Sequence, residues 1–122
     1  MNHRRTQQGF TMVEVLVALL LTAIATSGLI ALFTVESRAA GHARRSTEAS
    51  MLAQDKLEAL RTSAAASDSE VDIDVSGRNT GIYTRTWTVT PQAGWVDITV
   101  SVTWREESGA DKVVTMSTRR NL

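Results

Sequence analysis

The sequence predicts an α+β protein in which one long N-terminal helix, membrane-spanning in its first part and amphipathic in its second, packs on a small antiparallel β-sheet. Three observations carry this expectation. Phe10 to Val35 is almost wholly apolar, apolar residues recur at helical spacing between Glu36 and Arg61, and apolar and polar residues alternate from Val96 to Trp104. The chain divides accordingly into a short basic segment at 1–9, a helix over 10–61 with its membrane span at 10–35, and a loop with an antiparallel β-meander over 62–122.

The membrane span comes first. No charged side chain occurs from Val15 to Val35, and at ~1.5 Å per residue this run makes about 31 Å of helix, matching a hydrocarbon core of ~30 Å. Arg4 and Arg5 precede it, with His3 beside them, which places the N-terminus in the cytoplasm and the remainder of the chain outside. Ala23-Ile-Ala25 also fits the cleavage site of a Sec-type signal peptide. Against that alternative, Glu14 interrupts the apolar core such a peptide needs, and the charge-free run continues well past Ala25.

Beyond the span, Ala49, Ala53, Leu57 and Leu60 line one face of a helix, and Arg44 lies four residues from Glu48. This stripe is the expected spine for the sheet. Gly28 and Gly41 each lower helix propensity by about 1 kcal/mol relative to Ala, so they mark its weakest points. After Arg61 the composition turns to small polar residues with no apolar period, read as a linker.

The sheet follows. Val71, Ile73 and Val75 alternate with Asp72 and Asp74, which permits a short edge strand. Ile82 to Thr90 places Tyr83, Trp87 and Val89 on one face and threonines on the other, with Arg85 interrupting the apolar face. Pro91 to Gly94 is a turn. From Val96 to Trp104 the alternation is unbroken, and after a second turn at Glu107 to Ala110, Val113 to Thr118 closes the meander.

Composition excludes several functions. With 122 residues and one proline the chain has the size of a single modest domain. Its 13 basic and 13 acidic side chains give no basic face for nucleic acid. The absence of cysteine removes disulfides, zinc-thiolate sites and cysteine nucleophiles. No nucleophile elbow, phosphate loop or cofactor fingerprint occurs, so no enzyme, no cofactor and no metal is expected.

Glu14 is the anomaly. A carboxylate within a spanning helix costs ~2.5–3.5 kcal/mol at the bilayer centre, although this one lies only about 6 Å along the helix from Phe10. No cationic side chain is within reach on the same helix, since Arg5 and Arg38 lie far to either side. A cation from another chain, or an amino terminus newly made by cleavage, would satisfy it.

The stretch Gly9-Phe-Thr-Met-Val-Glu-Val-Leu-Val-Ala-Leu19, after its basic leader, resembles the type III signal of type IV prepilins and pseudopilins. The resemblance implies a pilin-like fold and removal of the leader 1–9 by a prepilin peptidase that cuts between Gly9 and Phe10 and methylates the Phe10 amine. It further implies that Glu14 pairs with the amine of a neighbouring subunit; Met12 stands where leucine is commoner. More finely, Glu14 to Leu19, Leu57 to Arg61 and the strands near Trp87 and Trp104 are similar to PilV-type minor pilins and to the I-type (GspI) minor pseudopilins of type II secretion systems. The implied function is a minor subunit that joins other minor pilins to prime assembly and occupies the tip of a type IV pilus. The implied partners are the peptidase, minor and major pilins, an inner-membrane assembly platform, a tip adhesin and membrane lipid. The implied location is the bacterial inner membrane and then the filament. A pseudopilin, or a Sec-exported small β-domain protein, is the alternative.

Other candidates are weaker. Asp72 to Gly77 resembles the opening of a calcium loop, but Tyr83 stands where the closing bidentate glutamate belongs. His3 and His42 are isolated and read as solvated side chains. Trp87 and Trp104 sit on apolar strand faces and read as core, whereas Trp95 is out of phase and is the better surface candidate.

Overall fold

The computed structural model describes residues 9–63 and 66–122. The expected leader lies outside the described residues except for Gly9. The elements are α1 (Met12–Thr62), β1 (Asp68–Ile73), β2 (Tyr83–Gln92), β3 (Trp95–Arg105) and β4 (Asp111–Asn121), an α+β arrangement. The chain forms two compact units that meet in sequence between Ala39 and Ala40.

The first unit is the apolar half of α1. It is the one helix among the described residues long and apolar enough to cross a membrane, and its leucines, valines and isoleucines are exposed. Its few hydroxyls do not break the apolar surface, because each donates to a carbonyl four residues back: Thr22 to Ala18 at 2.8 Å, Ser27 to Ala23 at 2.9 Å and Thr34 to Ile30 at 2.9 Å. Bonds of this kind satisfy polar groups without water. Gly28 and Gly41 both lie within the helix.

The second unit pairs the remainder of α1 with a four-stranded antiparallel meander in the order β1-β2-β3-β4. The unbroken alternation in β3 is realised in full, with Val96, Ile98, Val100, Val102 and Trp104 buried and the intervening residues on the other face. Those side chains form one core with Ala49, Leu52, Ala53 and Leu60 of α1 and with Ile73, Tyr83 and Trp87, while Leu57 packs at its margin. Ala49 and Ala53 are fully buried, and their small side chains admit the sheet's larger ones. Leu52 belongs to this face although the expected stripe omits it. The surface pair Arg44 Nε to Glu48 Oε1 forms at 2.7 Å.

Two connections depend on glycine. Ala93 and Gly94 join β2 to β3, and Gly94 takes φ 90°, a conformation that costs other residues more. At the β1–β2 loop, a side chain on Gly81 would lie 1.9 Å from the Ile73 carbonyl oxygen, so only glycine fits. The same loop holds Asp72 at φ 53°, where the pairing of β1 with β2 shifts register between Glu70 and Ile73.

The edge strand differs from expectation. Only Ile73 of its three apolar residues is buried, while Val71 and Val75 are exposed. The strand also begins at Asp68, within the expected linker. Tertiary pairing explains both: Asp68 stands opposite Trp87 and Glu70 opposite Arg85, Trp87 Nε1 donates to the Ala66 carbonyl at 2.9 Å, and the Ser67 hydroxyl accepts from Val89 N–H at 2.9 Å. Local alternation carries no trace of these bonds.

Val100 is fully buried at the centre of the core. Val100→Asp places an unpaired charge there, and the expected cost is several kcal/mol against a small domain's total of ~5–15. A chain beginning at Glu36 is expected to fold and to show a cooperative thermal transition. The same chain with Val100→Asp is expected to lose it, and an unchanged melting curve would refute the placement of this face.

Candidate functional site

The start of α1 is the site. Gly9 and Phe10 are exposed, and Thr11 is the residue before the helix begins at Met12. Glu14 N–H donates to Thr11 Oγ1 at 3.3 Å, and Thr11 N–H donates to Glu14 Oε2 at 3.4 Å. These reciprocal bonds are a capping box; Glu14 N–H is shared with the Thr11 carbonyl at 3.1 Å, and the Thr11 N–H finds its acceptor in the Glu14 carboxylate. The helix dipole adds a favourable field for a carboxylate in the first turn.

This corrects one expectation. Glu14 has no cation within reach on its own helix, but it does have a partner there, the Thr11 backbone N–H. The pattern Thr11-Met-Val-Glu14 is a legible capping-box signature, missed because the carboxylate was read only as an unpaired charge. The geometry turns the carboxylate back toward Phe10 and leaves Oε1 with no hydrogen bond among the described residues. Gly9, Phe10 and Glu14 therefore fall within a few residues of one another, at the end of the apolar helix where a new amine would arise on cleavage.

The other candidates resolve differently. The Asp74 carboxylate is filled by protein donors: Oδ1 accepts from Ser76 N–H at 2.8 Å and Arg78 N–H at 3.0 Å, and Oδ2 accepts from Thr80 Oγ1 and Arg78 Nε, each at 3.1 Å. The acid that a calcium ion would need is thus closing its own loop, and no cluster of metal-ligating side chains occurs among the described residues. His3 lies outside the described residues. His42 is not isolated, because its Nδ1 meets Glu106 Oε1 at 2.9 Å and its ring lies 6.3 Å from that of Trp104. Glu106 Oε1 also accepts from Trp104 Nε1 at 3.0 Å, and the His42 bond is the main cause holding that carboxyl below its usual range. These contacts tie α1 to the β3–β4 turn.

Trp87 and Trp104 are buried as expected. Trp95 lies half-buried on the outer sheet face, with the Arg119 guanidinium 4.8 Å from its ring centre. It is a strand-surface stacking partner for Arg119.

Once this geometry is in place, the comparisons with known proteins bear on one segment. Residues 4–30 match the family model described as the prokaryotic N-terminal methylation motif. The match contains Gly9, Phe10, Thr11 and Glu14 and ends within the apolar half of α1. Comparison with curated proteins and with solved structures gives no match. The chain is type IV prepilin-like over this motif, and its apolar helix is long and apolar enough to cross a membrane.

Two outcomes are expected. Backbone bonds from Arg78 and Ser76, with side-chain bonds from Thr80 and Arg78, bring Asp74 from an ordinary 3.8 down to about 2. A lowered carboxyl stabilises the fold above its unfolded value and loses that contribution as pH falls through the folded one. Asp74→Asn is therefore expected to flatten the acid limb of a stability-against-pH curve between those two values, and an unaltered limb would contradict the assignment. At the helix start, Thr11→Val removes the Oγ1 acceptor while keeping size, at an expected ~0.5–2 kcal/mol. Hydrogen exchange at the Glu14 amide should quicken, while exchange in the Ala49 to Leu60 segment should not.

Proposed function

We propose that this chain is the precursor of a filament subunit, inserted with its N-terminus in the cytoplasm and its globular domain exported. A prepilin peptidase cuts it between Gly9 and Phe10 and methylates Phe10. The mature helix then joins other pilins, with Glu14 accepting the charged Phe10 amine of a neighbour. The observation that carries this reading is the pairing of sequence and geometry at Glu14. The lone carboxylate of the apolar run is held by Thr11 at the helix start, inside the matched methylation motif. Methylation keeps an amine cationic, so an ion pair with Glu14 gives a charge-assisted hydrogen bond in a medium where neither group has water.

Within this reading, the chain acts as a minor subunit that associates with other minor pilins and the assembly platform, primes assembly and sits at the pilus tip. The support is the small exported domain, one helix face covering four strands. An I-type pseudopilin of a type II secretion system would begin with the same signal and the same helix.

Two measurements test it. Mass spectrometry of the mature chain is expected to find N-methyl-Phe10 at the terminus; a terminus at Thr26 would establish Sec processing instead. For assembly, Glu14→Gln separates two roles that Glu14→Ala merges, because glutamine retains an oxygen for the Thr11 N–H but carries no charge. Both variants should insert and be cleaved normally, yet co-purify poorly with the other Gly9-type pilins. Wild-type co-purification by Glu14→Gln would remove the ion pair from the mechanism.

A further inference from the structure

The sheet has two free edges of opposite charge, and we propose that they join copies of this chain side by side, β4 of one copy pairing with β1 of the next. Among the described residues the outer backbone groups of β1 and β4 have no strand partner, and such rows of donors and acceptors are templates for a further strand. β1 carries Asp68, Glu70 and Asp72 and no cation, whereas β4 carries Lys112, Arg119 and Arg120 against one acid, Asp111.

Much of that charge is already engaged. Glu70 pairs with Arg85 and Lys56, Arg119 with Asp97 and Asp111 with Arg105, while Arg120 donates to the Leu60 and Ser63 carbonyls at the end of α1. Among the described residues, Lys112 on β4 and Asp68 and Asp72 on β1 remain exposed and take part in no ion pair. One edge therefore keeps a free cation and the other keeps free carboxylates.

Strand direction and register fit the same arrangement. Three antiparallel pairings separate β1 from β4, so the two edges run in opposite directions. A neighbour turned to follow the twist of the sheet sets its β1 antiparallel to β4. The sheet's rows run Ser69–Thr86–Ser101–Thr115 and Glu70–Arg85–Val102–Val114. A neighbour placed so as to continue the first row sets its Ser69 beside Thr115, a hydroxyl pair of the kind that stabilises sheets, and brings its Asp72 close to the level of Lys112.

Charge favours the mixed contact over a β1–β1 contact and over a β4–β4 contact centred on Met116. A β4–β4 contact centred on Met116 sets Lys112 against Arg120, and a β1–β1 contact sets carboxylate against carboxylate. The favoured contact is heterologous, so it extends an array instead of closing a dimer. It deepens the filament reading and rests on it. Two adjacent copies suffice, so it serves a minor subunit as well as a major one.

The chain has no cysteine, which makes cross-linking clean. Val71 on β1 and Val113, Thr115 and Ser117 on β4 are exposed and outside the core, so cysteine at each spares the fold. Two differently tagged full-length chains, one with Val71→Cys and one with a β4 cysteine, are to be co-expressed and oxidised mildly in the membrane. The expected product is a mixed disulfide dimer, strongest at one β4 position and about fivefold above either symmetric dimer, with Lys112→Glu reducing it by a similar factor. Dominant symmetric β4 dimers, or a mixed yield indifferent to Lys112→Glu, would overturn the proposal. Absence of mixed dimers from chains that are cut at Gly9 and co-purify with other pilins would overturn the edge contact alone. Absence of both cutting and cross-links would remove the filament reading with it.

Discussion

Everything in the second unit depends on one helix face covering one sheet face. A four-stranded sheet has two faces, and here only one is closed, by Ala49, Leu52, Ala53 and Leu60 over the inward residues of β2 and β3. No second layer exists among the described residues to share the load, which is why the strict alternation of β3 matters so much. A one-residue slip would turn its whole apolar set outward. The opposite face accordingly carries Thr84, Thr86, Thr88, Thr90, Thr99, Ser101 and Thr103, residues that favour strands while remaining content with water.

The core closes around a charge. Arg85 is 6 % exposed on the apolar face of β2, where the alternation predicts a hydrophobic side chain. Its guanidinium pairs with Glu70 of β1 and donates to the Leu52 carbonyl at 3.0 Å, so one cation links two strands and the helix. Lys56 completes the cluster by bonding Glu70 at 3.0 Å while its ammonium lies 3.6 Å from the Trp87 ring centre. Burying such groups costs free energy unless each is paired, and these are. The bonds fix β1, a strand with one buried apolar residue, against the remainder of the sheet. Two residues before Arg85 on the same face of β2, Tyr83 Oη donates to Glu48 at 2.5 Å; that bond is the main cause lowering the carboxyl, while burial first and the bond second raise the phenol.

Legibility followed the range of the forces. The apolar helix, the spine through Ala49, Ala53 and Leu60, and strands β2 to β4 were readable because each is encoded by a period within the segment itself. β1 was legible only as a short strand with the wrong bounds, because its formation depends on Arg85, Trp87 and Val89, distant in sequence. His42 looked solitary for the same reason, since Glu106 lies 64 residues away. The motif that contains Gly9, Phe10 and Glu14 was legible, yet the bond from Thr11 was missed although its pattern spans only four residues. An apparent charge defect had drawn the explanation toward another chain, past a partner three residues away.

Under the proposed filament reading, that nearby partner changes what assembly has to accomplish. A carboxylate with no partner would make insertion costly and leave the helix start frayed, whereas the capping box lets Glu14 enter the membrane as part of a finished helix terminus. The box uses Oε2 and leaves Oε1 without a bond among the described residues, so an incoming amine would not have to dismantle it. A carboxylate has lone pairs enough to accept from Thr11 N–H and from a cation together. Thr11 thereby limits the rotamers Glu14 samples before any neighbour arrives, and a group already oriented loses less entropy when it is bound. Under the proposed filament reading, the same two residues that start the helix cleanly also hold the one charge in the apolar run ready for a neighbouring amine.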